Sequence, residues 1–399
     1  MPSPAAPLHI AVVKETAAHE RRVALTPDSA RRFAKLGVRL SMEPGAGEAA
    51  AFADAAYREA GVELGVPWAE VDIVLCVQPP PLAQMKGVKS GAAVIGMLSP
   101  QQNLATLNAW AAAGLDAFAM EWVPRITRAQ SMDVVSSQSN LAGYKAVLDA
   151  AAEYGGAFPM MMTAAGTVPA ARVFVLGAGV AGLQAIATAK RLGAIVSATD
   201  VRRAAGEQVE SLGAKFVAVE GGEGGESGET ASGYAKEMSA DYLRQQAALV
   251  AEHLKSQNIA ICTALVFGRR APVLISRAMV DAMQPGSVIV DLAAGQGGNC
   301  ACTEPGKIVE HKGVRIIGHL NVPSRLAANA SALYARNLYQ FCAAFHDAES
   351  GALRWPDDDE IVQAVRCVHG GRLVHPALQT EKKQGDQKQE DQKQGEQKS

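Results

Sequence analysis

Gly177, Gly179 and Gly182 stand in the spacing G-x-G-x-x-G, and Asp200 follows about 20 residues on, an arrangement that can hold a dinucleotide. Each position has its own physical reason. Gly177 permits a tight turn, Gly179 lets the backbone approach a pyrophosphate, and Gly182 lets a helix pack closely on the preceding strand. The pyrophosphate then meets a helix N-terminus, where unpaired N–H groups and the helix dipole favour negative charge. The candidate binding residues are Gly177, Ala178, Gly179, Val180, Gly182, Asp200, Val201 and Arg202. A carboxylate at Asp200 accepts the ribose hydroxyls of adenosine and repels a 2′-phosphate, which favours NAD(H) over NADP(H). Arg202 and Arg203 pull the other way, because a nearby arginine accommodates that phosphate. The strand-end position of Asp200 decides for NAD(H).

These residues need a strand, a turn, a helix and a second strand to position them. Val173 to Leu176 is an apolar run suited to a buried parallel strand. Leu183 to Leu192 reads as a helix closed by Gly193, and Ala194 to Ala198 as the second strand. A glycine-rich turn in an unrelated α/β domain is the competing reading. Strand before, helix after and an acid at the next strand's end select the dinucleotide turn instead.

The rest of the chain alternates in the same way. His9 to Val13 is a strand, Thr26-Pro27-Asp28 opens a helix closed by Gly37, and VRLSMEP is the next strand. Ala55 to Ala60 is helical, and Asp72 to Val77 and Ala92 to Met97 are buried strands. Residues 121–137 are polar and proline-interrupted and read as a loop with a task; Ser139 to about Tyr154 forms a linking helix. Further on come a strand at Lys215 to Val219 and a glycine-rich acidic stretch at 220–233, whose composition predicts mobility. A long helix then runs through Leu254, followed by strands at Ile259 to Thr263 and Val288 to Asp291. A hairpin-like return lies within Asn299 to Gly318, and a long helix follows Pro323. Strands alternating with helices predict α/β architecture: two Rossmann-like domains with parallel sheets, the NAD-binding one inserted into the other. The expected boundaries are 1–137 plus 325–378 for the first domain and 138–324 for the nucleotide domain. Residues 379–399, all but free of apolar side chains, form a tail expected to be disordered.

Composition bounds the function. At 399 residues the chain exceeds one ordinary core, and 48% hydrophobic with 20% charged residues is globular. A net charge of −2 offers no electrostatic case for nucleic acid. The six cysteines are scattered; Cys300 and Cys302 form a close pair without a second Cys/His pair, so reduced thiols are expected and no metal site. The opening MPSPAAPLHI lacks the pattern of a signal peptide, and no run of about 20 apolar residues exists, so no direct membrane span is expected. Docking on a membrane protein stays open.

Several longer blocks carry a family resemblance: PRITRAQSMDVVSSQSNLAGY (124–144), FPMMMTAAGTVPAARVFVLGAGVAGLQAIATAKRLGA (158–194), ASGYAKEM (231–238), GSVIVDLAAGQGGNC (286–300) and GHLNVPSR (318–325). With them the chain resembles the soluble, separate-chain NAD(H)-binding alpha subunits (domain I) of proton-translocating NAD(P) transhydrogenase, within the alanine dehydrogenase/transhydrogenase superfamily. The resemblance implies direct hydride transfer of the Re/Si type between NADH here and NADP⁺ on a partner beta subunit. It further implies coupling to proton translocation through a membrane subunit, activity only with these partners, homodimerisation, and a cytoplasmic location at the inner membrane's periphery. It also assigns roles. Arg125 and Asp133 orient the nicotinamide carboxamide, Gln130 bridges to the partner's nucleotide, and Ser136 adds a hydroxyl near the ring. Tyr234 closes over bound nucleotide, and Gly233, Gln246, Ala264 and Leu265 line the adenosine or ribose.

Alanine dehydrogenase, a relative by fold, holds its amino acid with an arginine, a lysine, a histidine and an aspartate. Arg22 matches the arginine, but the other three positions fall on Gln78, Ser99 and Gly295. A 2-oxo acid needs cations for its carboxylate and an acid for its carbonyl oxygen. An amino-acid dehydrogenase and a non-catalytic NAD-binding regulator are the alternatives.

Overall fold

Continuous burial along the central strands explains the layering. Successive side chains of a strand point to opposite faces, and strands covered on both faces are apolar throughout. In the computed structural model, which describes residues 7–219, 239–265 and 270–379, the chain divides into two units. They are Met1–Ser137 with Ala327–Ser399, and Gln138–Leu326.

The first unit begins with β1 (His9–Val12), α1 (Pro27–Ala34), β2 (Arg39–Met42), α2 (Asp54–Glu59), β3 (Glu63–Leu64), β4 (Ile73–Leu75), β5 (Ala93–Gly96), α3 (Leu104–Ala112) and β6 (Asp116–Ala119). The unit boundary falls inside α4 (Val134–Glu153). The second unit holds β7 (Met161–Thr163), β8 (Gly166–Val168), β9 (Arg172–Leu176), α5 (Val180–Arg191), β10 (Ile195–Thr199), α6 (Ala205–Ser211) and β11 (Lys215–Phe216). It continues with α7 (Ala240–Leu254), β12 (Ile259–Cys262), α8 (Arg277–Asp281), β13 (Val288–Asp291), β14 (Ile308–His311) and β15 (Val314–Ile317). The first unit is completed by α9 (Ala327–Ala344), α10 (Glu360–Val365), β16 (Arg366–His369) and β17 (Arg372–Leu373).

The first unit's sheet runs β3-β2-β1-β4-β5-β6-β16-β17, parallel through β6 and antiparallel at β16 and β17. Ile10 and Val12 join one buried cluster with Leu40, Leu75 and Phe118, while Ala11 and Val13 join the other with Val74 and Val94. Each such Val, Leu, Ile or Phe side chain, fully buried, contributes about 2 kcal/mol relative to exposure. Thr26 caps α1: its hydroxyl accepts the Ser29 N–H and Ser29 Oγ accepts the Thr26 N–H, with Pro27 at the first helical position.

The second unit's sheet runs β11-β10-β9-β12-β13-β15-β14, with only β14 antiparallel. Val173, Val175, Ile259 and Ile261 face one cluster; Phe174, Leu176, Ala260 and Cys262 face the other. Both sheets reverse strand order beside their first strand, so each has a switch point where a crevice opens outside the carboxyl ends. In the second unit that point lies between β9 and β12. The α/β class with two Rossmann-like sheets is therefore the observed one.

Three elements differ from their sequence-based expectation. Helix α5 starts at Val180, three residues early, because glycine and alanine in its first turn mask the helix pattern. Strand β11 stops at Phe216. The segment 121–137 is not an open loop: Thr127–Met132 is a 3-10 turn, and α4 begins at Val134. Among the described residues no helix is long and apolar enough to cross a membrane, and no group of three His, Cys, Asp or Glu side chains is placed to hold a metal ion.

Candidate dinucleotide-binding site

The glycine turn joins β9 to α5 at the second unit's switch point. Gly177 has φ +102°, a conformation that a side chain rarely adopts, and a Cβ there would lie 2.6 Å from Thr263 Oγ1 and 3.3 Å from the Ala264 nitrogen. A Cβ on Gly182 would lie 1.8 Å from the Gly177 carbonyl oxygen. Thr263, just beyond β12, ties the turn to the neighbouring strand, its hydroxyl donating to the Gly177 carbonyl at 2.9 Å. Gly179 is different: a Cβ there would meet nothing within 4 Å. It borders open space at the head of α5, where the first N–H groups of a helix have no intrahelical partner. That cradle fits a pyrophosphate, with the dipole adding to the attraction.

Asp200, at the end of β10, closes the turn from the other side. Its carboxylate accepts the Ala178 N–H at 2.7 Å and the Arg202 N–H at 2.8 Å. Ala264 is held by Asn299, whose amide oxygen accepts the Ala264 N–H at 3.1 Å and whose Nδ2 donates to the Ala264 carbonyl at 2.9 Å. Asn299 is itself held by the buried Asp291, which accepts the Asn299 and Cys300 N–H groups and the Thr303 hydroxyl. Asn299, Asp291 and Thr263 were not singled out from the sequence. Thr263 and Asp291 stand at the ends of apolar runs, where polar groups at strand ends have work to do, whereas Asn299 follows a glycine pair and leaves no such signal. Val180 and Leu265 are exposed and Gln246 is buried on α7. Gly233 and Tyr234 lie outside the described residues.

Arg125, Gln130, Asp133 and Ser136 lie in the first unit. Arg125 and Gln130 are exposed. Asp133 precedes α4 and acts as its cap, accepting the Ser136 N–H at 2.8 Å and the Ser136 hydroxyl at 2.5 Å. Buried Ala129 and Met132 anchor the segment. Asn337 on α9 pins it further, donating to the Ser131 carbonyl and accepting the Ser137 hydroxyl, each at 2.8 Å. Arg128 pairs with Asp359 at 2.8 Å. The exposed side chains therefore stand on a rigid base.

Two family models match: Alanine dehydrogenase/PNT, N-terminal domain, over residues 11–142, and Alanine dehydrogenase/PNT, C-terminal domain, over residues 146–376. The chain is 50% identical over 380 residues to an NAD(P) transhydrogenase subunit alpha chain of Rhodospirillum rubrum, covering 93% of this chain and 99% of that one. The chain belongs to the transhydrogenase alpha subunits of the alanine dehydrogenase/PNT family. The crystal structure of transhydrogenase from Sinorhizobium meliloti matches with a TM-score of 0.83 at 51% identity, over 92% of this chain and 100% of that one. Alanine dehydrogenase of Halomonas elongata is 29% identical over 389 residues, 93% of this chain and 96% of that one. Membership carries with it an oxidoreductase role and the binding of a nicotinamide nucleotide.

In this transhydrogenase-type subunit Arg22, Gln78, Ser99 and Gly295 are firmly built. Arg22 and Glu20 form a buried two-pronged pair, Nε to Oε1 at 2.8 Å and Nη2 to Oε2 at 2.6 Å. The Gln78 amide donates to Glu20 Oε2 at 3.2 Å. Glu15 accepts the Val77 and Gln78 N–H groups at 2.6 and 3.1 Å, and Glu121 accepts those of Leu98 and Ser99. Gly295 stands in a 3-10 turn with Leu320 3.4 Å from its would-be Cβ.

Burial pushes the Glu15 carboxyl up to about 8 and the Glu121 carboxyl up to about 7, against the N–H groups that pull both down. In the unfolded chain both ionise near their ordinary value of 4.5. Above that value the folded state binds more protons than the unfolded chain, so this stability is full below it and is lost as pH rises through 7 to 8. Thermal melts from pH 6 to pH 9 are expected to show a falling Tm, with a flatter curve for Glu121→Gln. A wild-type Tm that rises with pH across that window contradicts the assignment.

Proposed function

We propose that the chain is the NAD(H)-binding subunit of a proton-translocating NAD(P) transhydrogenase of the Re/Si type. What carries the reading is the combination of an intact dinucleotide turn with neutral Gln78, Ser99 and Gly295, where an oxo-acid substrate needs charged groups. Bound NADH supplies a hydride for NADP⁺ on a partner subunit. Such a transfer exchanges no proton at carbon, so it needs neither acid nor base from the chain; it needs close approach, alignment and excluded water.

The chain's residues supply that positioning. N–H groups at the head of α5, from Gly179 and Val180 onward, hold the pyrophosphate, and Asp200 accepts ribose hydroxyls. Gly177, Ala178 and Gly182 shape the turn, and Val201, Arg202, Gly233, Tyr234, Gln246, Ala264 and Leu265 surround the nucleotide. Arg125 and Asp133 orient the carboxamide, Gln130 reaches the partner's nucleotide and Ser136 offers a hydroxyl near the ring. The Asp133–Ser136 bond and the rigid base under Gln130 support these roles.

The relatives' description as alpha-subunit chains supports the existence of other subunits; we propose that these are a beta subunit holding NADP(H) and a membrane subunit coupling the transfer to proton movement, with this chain cytoplasmic at the membrane periphery. A homodimer is proposed as well. Hairpin β7–β8 is a sheet of two strands by itself, and its Met160, Met161 and Met162 are 61%, 43% and 78% exposed. Isolated hairpins are marginal in water, and a contiguous apolar patch marks an interface. Met162→Asp is expected to shift the sedimentation coefficient from dimer to monomer at micromolar concentration; an unchanged dimer contradicts the hairpin's role.

Asp200→Ala is expected to weaken NADH binding by about tenfold, the loss of one or two charge-assisted hydrogen bonds, and to narrow discrimination against NADPH. Unchanged affinities for both nucleotides refute the assigned role. Wild-type protein given pyruvate, ammonia and NADH is expected to show no turnover; clear turnover favours the amino-acid dehydrogenase.

A further inference from the structure

The Asp200 carboxylate is saturated before any nucleotide arrives. Besides the backbone N–H groups of Ala178 and Arg202, it accepts Arg202 Nε at 3.0 Å and Arg202 Nη2 at 3.1 Å. A carboxylate offers about four lone-pair positions, and these donors fill them. The two backbone donors belong to the glycine turn and to the bend after β10, and they cannot leave without opening those segments. The two guanidinium donors belong to a side chain that can rotate away. The Arg202 and Asp200 side chains are 18% and 7% exposed, so solvent screens the pair less than an open surface ion pair.

We propose that the Arg202 guanidinium is an internal competitor for the adenosine ribose, a specificity-determining side chain that nucleotide binding must displace from Asp200. The proposal rests on the NAD(H) reading of the site. Two consequences follow from the geometry. Ribose hydroxyls gain their hydrogen bonds to Asp200 only by breaking a two-pronged, charge-assisted contact, so Arg202 lowers the affinity for NAD(H). Once displaced, the guanidinium is a cation beside a ribose, and it offsets part of the repulsion that Asp200 exerts on a 2′-phosphate. Arg202 therefore weakens the preferred nucleotide and narrows the preference. A subunit that must release its oxidised nucleotide in every cycle gains from the first effect.

The test is the dissociation constants of NADH and NADPH, read by nucleotide fluorescence, for the full-length wild type, Arg202→Ala and Arg202→Gln. Removing the competitor is expected to tighten NADH binding about fivefold and to leave NADPH binding unchanged or weaker, so that the NADPH-to-NADH ratio of dissociation constants widens. Arg202→Lys, which keeps the charge but not the two-pronged contact, is expected to move in the same direction by less, and it serves if the neutral variants do not fold. NADH binding that is unchanged or weaker in the folded variants overturns the proposal while the NAD(H) reading stands. Wild-type protein that binds neither nucleotide overturns both.

Discussion

Replacing Gly182 with alanine is expected to cost about 3 kcal/mol of stability and to lower NADH affinity more than a hundredfold. The added Cβ would lie 1.8 Å from the Gly177 carbonyl oxygen and 2.8 Å from its carbonyl carbon, both backbone atoms. No side chain can swing aside to relieve that overlap, so α5 must move away from the turn. The turn is also held by Thr263 and Asp200, and displacing it disturbs those bonds as well. Gly179→Ala separates the structural from the functional share. Its Cβ meets no protein atom within 4 Å and its φ of −79° suits any residue, so the melting temperature is expected to stay within a degree or two, as for a surface change. The methyl group nevertheless stands where the pyrophosphate approaches, and NADH affinity is expected to fall about tenfold or more. Calorimetric binding and thermal melts on both variants check this. Full NADH affinity in Gly179→Ala contradicts the assigned role of the turn.

Gln130→Asn carries the second large effect, and it falls on rate. Gln130 is exposed on a segment anchored by Ala129, Met132 and Asn337, so shortening it leaves the base intact. A displacement of about 1 Å in a positioning contact can cost about a hundredfold in rate. Hydride transfer in the complex with the NADP(H)-binding partner is expected to slow by about that factor, while NADH affinity and melting temperature stay near wild type. A wild-type rate contradicts the alignment role.

The features legible in the sequence were those encoded locally. An apolar strand, three spaced glycines, a run of helix formers and an acid after the next strand each leave a pattern within about 30 residues, and together they located β9, α5, β10 and Asp200. The segment 121–137 reads as a loop in sequence because its order comes from elsewhere. Asn337 lies some 200 positions away, and the cap formed by Asp133 carries α4 several residues further back than its run of small residues suggests. The staples Glu15 to Val77 and Gln78, and Glu121 to Leu98 and Ser99, join separate strand ends, and no local spacing signals them. The same holds for Asn299 and Ala264. Among the described residues β11 pairs with β10 alone, which sets its short length rather than the apolar run that continues to Val219.

Direct transfer between two nicotinamides is read out by reconstitution. The protein is mixed with an NADP(H)-binding partner subunit, NADPH and an oxidised NAD analogue whose reduced form absorbs apart from NADPH, and absorbance follows the reduced analogue. Reduction is expected only when both proteins are present, with no response to pyruvate and ammonia. Absence of transfer in the mixture, together with NADH oxidation by pyruvate and ammonia in this protein alone, contradicts direct transfer between nicotinamides.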